Sequence, residues 1–301
     1  MHRADFAPRS QPSAACMIHH LSTLKAEIEA RHPALFRRLT WLRDRLAPYY
    51  AEPELRLLPA LCVPGEAAFD VGANSGIYTF WMCREAARVV AFEPNPKLAG
   101  LLAAKFGSLV ASGRLRIEGC ALSDGDGSIV LHVPQATALA SVEAGAVDAH
   151  GQEVTAVTVP RLTLDRFDEG PVGFVKIDVE GHEAAVVAGG MRLIARHRPN
   201  LLVEAEERHS PGSLARLAAL LAPLGYRGYF VLSGRLCSLD AFDPARHQSR
   251  AALNPAGTHR LKGQTYINNF IFVARDGVAD RLRAALGQAA RQTGQQTDRL
   301  S

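Results

Sequence analysis

The sequence predicts an α/β protein: a mixed, mostly parallel sheet with helices on both faces. Three observations predict it. Short apolar runs alternate with stretches of helical periodicity, as in successive βαβ units. The runs AAFDV (67–71) and VVAF (89–92) are almost wholly apolar, as strands covered on both faces must be. A glycine-rich turn joins the first run to a helical stretch, which puts a ligand site at the carboxyl ends of the strands.

Composition agrees. The 301 residues are 48% hydrophobic and 21% charged, with a net charge of +4, so collagen-like, coiled-coil and wholly disordered chains are excluded. No apolar run approaches the ~20 residues of a membrane span, and the first residues lack the apolar core of a secretory signal. Five cysteines without a C-x-x-C pair point to reduced thiols and a cytoplasmic setting.

Along the chain, residues 1–16 are polar and aperiodic and read as a disordered arm. Residues 17–53 read as a helical cap, with Leu21, Leu24, Ile28, Leu35, Leu39, Leu42 and Leu46 at helical spacing and a break at Pro33. The main domain spans 54–275, and 276–301 form a helical or disordered tail. Within the domain the expected strands are 67–71, 89–92, 115–118, 128–133, 156–159, 173–178, 201–204, 226–232 and 269–273. Helices are expected near 76–87, 96–111, 182–196 and 211–221.

The most specific segment is FDVGANSGIYTF (69–80). A dinucleotide site would carry G-x-G-x-x-G, with backbone N–H groups reaching a pyrophosphate. Here the spacing is G-A-N-S-G, and Asp70 precedes the first glycine by two residues. An acid there repels phosphate but suits an ammonium group. The next strand ends at Glu93, where a carboxylate can accept from both ribose hydroxyls. A nucleoside with a cationic tail and no phosphate fits both features, and S-adenosylmethionine is such a molecule. Two alternatives stay open: an NAD(P)-dependent oxidoreductase on the same kind of sheet, and a non-catalytic nucleoside-binding module.

Downstream, CALSDG (120–125) offers small apolar residues beside polar ones that could flank an adenine. Then come Asp178, Glu180, His182 and Glu183, and on the next strand Glu204, Glu206 and His209. Three readings compete. His182 or His209 acts as general base; or Asp178, Glu204 and a histidine hold a divalent metal, Mg or Mn; or the acids are structural, with Glu180 and Glu183 at a helix N-terminus. Residues 165–207 hold nine acids against five basic residues. Such an acidic rim repels a phosphate backbone, so no nucleic-acid partner is expected.

The motifs DVGANSGIYT, AFEPNP, ALSDGDG, LTLDRF, VKIDVEGHE and a late NNFIFV together resemble the FkbM-type methyltransferases. The resemblance covers about residues 54–275. It implies a Rossmann-like class I methyltransferase fold with a seven-stranded sheet, S-adenosylmethionine as cofactor, and O-methylation of a sugar, glycolipid or polyketide-type hydroxyl. It implies that Asp70, Gly72, Asn74 and Gly76 line the methionine part, that Glu93 holds the ribose, that Ala121 and Leu122 lie near adenine, and that Asp178 sits at the sulfonium end. Ala73, Thr79 and Pro94, in the same two motifs, complete the expected cofactor set; Asp178, His182, Glu204 and His209 are the expected catalytic set. Residues 135–153 match no pattern and are expected to form a substrate-side loop.

Overall fold

The computed structural model describes residues 31, 33–50, 53–134, 154–255, 257 and 260–297. The expected arm (1–16), most of the first part of the helical cap and the 135–153 loop lie outside the described residues. Two units are distinguished, 1–46 and 47–301. Helix α1 spans Pro33–Tyr50.

Among the described residues the second unit has eleven strands: β1 (Ala67–Val71), β2 (Arg88–Phe92), β3 (Leu115–Glu118), β4 (Ala121–Ser123), β5 (Gly127–Pro134), β6 (Val154–Thr163), β7 (Val172–Ile177), β8 (Asn200–Glu204), β9 (Arg227–Leu232), β10 (Arg235–Ser238) and β11 (Asn269–Val273). Its helices are α2 (Leu58–Leu61), α3 (Ile77–Glu85), α4 (Pro96–Lys105), α5 (Gly107–Ala111), α6 (Glu183–Ala188), α7 (Met191–His197), α8 (Ser213–Leu221), α9 (Pro244–His247) and α10 (Val278–Thr297). The main sheet runs β10-β9-β11-β8-β7-β1-β2-β3. The pairs from β8 to β3 are parallel, and β11 is antiparallel to both of its neighbours. From β1 the chain winds outward through β2 and β3, then returns to β7 on the other side. That reversal between β1 and β7 is the switch point at which such sheets open a ligand crevice.

The main sheet has eight strands rather than seven. The extra strand, β10, is a hairpin partner of β9. Ser233 and Gly234 both have positive φ, +49° and +72°, the geometry of the two-residue turn that matches strand twist. A second sheet, β4-β6-β5, stands beside the first. Two expected helices are each broken in two. The first breaks at Phe106–Gly107, between α4 and α5; the second breaks at Gly189–Gly190, between α6 and α7. Glycine is a poor helix-interior residue.

Strand alternation sends side chains to two cores. One face carries Phe69, Val71, Phe92, Val175, Ile177 and Val203 against α6, α7 and α8. The other carries Ala68, Ala91, Phe174, Leu202 and Ile271 against Tyr78 and Met82 of α3, Leu58 of α2 and Leu282 of α10. Cys62, Cys83 and Cys120 are buried free thiols, and burial pushes each up to about 12. Among the described residues no helix is long and apolar enough to cross a membrane.

Candidate active site

A cleft opens over the switch point, lined by Gly72, Asn74, Glu93, Pro94, Ala121, Leu122, Asp178, Glu180 and His182 among others. The β1–α3 turn forms its floor. Gly72 has φ +79°, and a Cβ there would lie 1.9 Å from the carbonyl oxygen of Asp178. Only glycine lets the end of β1 pass so close to the end of β7, where the Asp178 N–H donates to the Val71 carbonyl (3.0 Å).

Four of the turn's N–H groups are already committed. Those of Gly72 and Ala73 donate to the Phe92 carbonyl, that of Gly76 to the Ala73 carbonyl, and that of Asn74 to Glu93 Oε2 at 2.7 Å. A phosphate cradle needs such groups pointing at the ligand; here those of Gly72, Ala73 and Asn74 lock the turn onto the end of β2 instead. Glu93 Oε1 also accepts from the Asn95 N–H (2.8 Å), and Asn95 in turn caps α4 through Lys97 N. Glu93 is thus a buried carboxylate in the cleft wall, oriented by backbone donors from both sides.

Desolvation pushes Glu93 from its ordinary 4.5 up to about 7, against the lowering effect of those N–H bonds. A raised carboxylate favours the folded state below its ordinary value and loses that contribution as pH climbs through the folded value. The contribution is about 3 kcal/mol. Glu93→Gln is therefore expected to gain stability relative to wild type between pH 5 and 8. Thermal unfolding across that range checks it; parallel curves would sink it.

Four expected cofactor residues lie outside the cleft lining. Asp70 points to the opposite face of β1 from Val71, fully buried, and accepts from the Thr79 hydroxyl at 2.5 Å. Burial pushes it to about 6, with Thr79 and Lys176 opposing. Asp70 and Thr79 therefore tie β1 to α3. Gly76 faces Leu102 and Phe106, which a Cβ would strike at 2.6 and 2.7 Å, so the missing side chain lets α3 pack on α4. Ala73 is buried in the second core.

On the far wall, Ala121 and Leu122 of β4 sit beside Cys120 and Leu131. His182 Nε2 shares a 2.9 Å hydrogen bond with Ser123, whose hydroxyl donates to Asp124. That pairing puts His182 beside the β4 wall. His209 is outside the lining and pairs through Nδ1 with Glu180 (2.9 Å), which raises its pKa. Glu183 is buried at the start of α6 and accepts from Gly181 N–H (2.7 Å). Strand β8 ends at Glu204, so the alternation does not reach Glu206, which is held by Arg208 and Tyr266.

Just past the end of β7, Asp178 and Glu180 both line the cleft. Behind Asp178 lies Lys176, 1% exposed, with Nζ 3.4 Å from Asp178 Oδ2 and 3.9 Å from Glu204 Oε2. Glu204 also accepts from Asn268 Nδ2 (2.6 Å). Lys176 escaped the sequence reading, although one charge in the otherwise apolar run VGFVKI was a signal for it. Among the described residues no three His, Cys, Asp or Glu side chains converge as a metal site.

The winding order, the committed glycine turn and the acid after the second strand define a Rossmann-like fold of the class I methyltransferase type. The chain belongs to the FkbM methyltransferase domain family, whose model matches residues 70–228. No curated protein matches it in a sequence search. Among solved structures it is similar to the methyltransferase FkbM from Methylobacillus flagellatus KT, at 17% identity and TM-score 0.45 over 70% of this chain and 44% of that one. It is also similar to a SAM-dependent O-methyltransferase from Thermotoga maritima (13%, TM-score 0.37, 73% and 63%). A third is an O-methyltransferase from Bacillus cereus in complex with SAH (12%, TM-score 0.42, 86% and 100%). The chain spans less than two thirds of the first two.

Proposed function

We propose that the protein transfers a methyl group from S-adenosylmethionine to a hydroxyl of a small molecule, of the sugar, glycolipid or polyketide type. One observation carries the reading: a buried carboxylate, Glu93, stands in the cleft wall beside a glycine turn whose Gly72, Ala73 and Asn74 N–H groups are spent on the end of β2. That site recognises a sugar edge and not a phosphate. Gly72, Asn74, Glu93, Pro94, Ala121 and Leu122 would hold the cofactor. When bound, it supplies an electrophilic methyl whose bond to sulfur breaks as the bond to the acceptor oxygen forms, the electron pair staying on sulfur.

The chain's part is alignment and proton removal. Asp178 lines the cleft and is the residue we assign to take the hydroxyl proton. His182 also lines it and is the second candidate. Glu204 supports Asp178 from the neighbouring strand through the shared lysine. His209 belongs to the Glu180 pair and steadies the β7–α6 turn. A cytoplasmic setting suits three buried free thiols.

Native mass spectrometry of the purified protein tests the cofactor, and transfer of labelled methyl to glycoside and polyketide panels tests the acceptor. We expect a copurified adenosyl thioether or sulfonium, alkali-stable label on hydroxyls, and equal rates with and without EDTA. A bound diphosphate nucleotide, or label confined to amino groups, would overturn the reading. Loss of activity on chelation would restore the metal mechanism.

A further inference from the structure

Lys176 is an ammonium in the middle of the sheet. Its register partners are Asp70 on β1 and Leu202 on β8. Phe174, two residues earlier on the same face, is fully buried. An ammonium in such a place costs several kcal/mol unless it is compensated. The compensation is visible. Nζ lies 3.4 Å from Asp178 and 3.9 Å from Glu204, 4.9 Å from the centroid of the Tyr78 ring, and within 3.5 Å of the Ile177 carbonyl. Asp70 and Glu54 feel its charge through space. A methionine-sized apolar residue would fill this position without that expense. The lysine joins the two carboxylates at the strand ends, and one of them, Asp178, lines the cleft.

We propose that Lys176 tunes the charge of the reacting end: within the trio it cancels one of the two carboxylates, Asp178 and Glu204, so that the trio keeps one net negative charge, beside the Glu180–His209 pair at the cleft wall, to meet a singly positive ligand. The trio then favours a sulfonium over the neutral thioether left after transfer, so substrate displaces product. Lys176 acts through the carboxylates and is a positioning residue. The inference rests on the methyltransferase reading above.

The test is the ratio of two affinities, measured by calorimetry at pH 7.5. One ligand is S-adenosylhomocysteine, the neutral thioether. The other is sinefungin, an analogue that carries an ammonium where the cofactor carries its methylsulfonium. Lys176→Met leaves two negative charges and is expected to raise the preference for sinefungin about tenfold. Glu204→Gln leaves none and is expected to lower it about tenfold. A purely structural role for Lys176 would weaken both ligands in parallel and leave the ratio unmoved, which would overturn the proposal. If Lys176→Met fails to fold, the Glu204→Gln ratio alone decides. If wild-type protein binds neither ligand, the methyltransferase reading falls and this inference with it. If it binds both and the ratios stay fixed, only this inference falls.

Discussion

Gly72→Ala is expected to abolish measurable binding of S-adenosylhomocysteine and to lower the unfolding midpoint by about 10 °C. A single methyl has this effect because of what it meets. The new Cβ would stand 1.9 Å from the Asp178 carbonyl oxygen, well inside any van der Waals contact, and that oxygen belongs to backbone at the end of the most buried strand pair. Either β1 or β7 must move, and both form the cleft floor. The backbone at φ +79° adds the ordinary left-handed penalty of about 1 kcal/mol. A control separates the two causes. Gly65 has nearly the same φ, +81°, with nothing within 4 Å of its Cβ position. Gly65→Ala should therefore cost only that backbone penalty and leave affinity intact. Similar losses from both substitutions would show that strand approach is not the cause.

That close approach was only half legible in the sequence. Apolar runs located β1, β3 and β11 to the residue and the other expected strands to within one to four, because strands covered on both faces leave an unbroken apolar trace. Two strands left none. β4 is three residues long and follows β3 after two residues, so it merged with the expected adenine loop. β10 reads RLCS, half-exposed at a sheet edge, and only the Ser-Gly turn before it carried a signal.

The site divides along the same line. Residues whose position follows from chain order, Gly72 in the turn and Glu93 after the second strand, stand in the cleft. Residues whose position depends on which face of a strand they occupy were not separable by sequence. Asp70 and Val71 are adjacent, yet Val71 meets the cleft and Asp70 turns back to Thr79. His182 and His209 lie in similar acidic surroundings, but one contacts Ser123 on β4 and the other Glu180. Contacts between distant segments decide these cases, and one sequence does not record them.

Glu93→Ala is expected to weaken S-adenosylmethionine and S-adenosylhomocysteine by the same factor, roughly 100-fold. The two ligands share the ribose, and two hydrogen bonds to an ionised carboxylate contribute about 3 kcal/mol together. The substitution also strips the Asn74 and Asn95 N–H groups of their acceptor, so a weakened turn could imitate a lost ribose contact. A ligand lacking the 2′ and 3′ hydroxyls distinguishes them. Against wild type, the dideoxy form of S-adenosylhomocysteine should bind about 100-fold more weakly than the parent. Against Glu93→Ala, the two should bind alike, because the partner of those hydroxyls is gone. If the deoxygenated ligand stays equally disfavoured in the variant, Glu93 only braces the turn, and the ribose is held elsewhere. The comparison also bears on the buried position of Glu93: a carboxylate that desolvation lifts to about 7 gains most from donors that replace lost water, and two sugar hydroxyls are such donors.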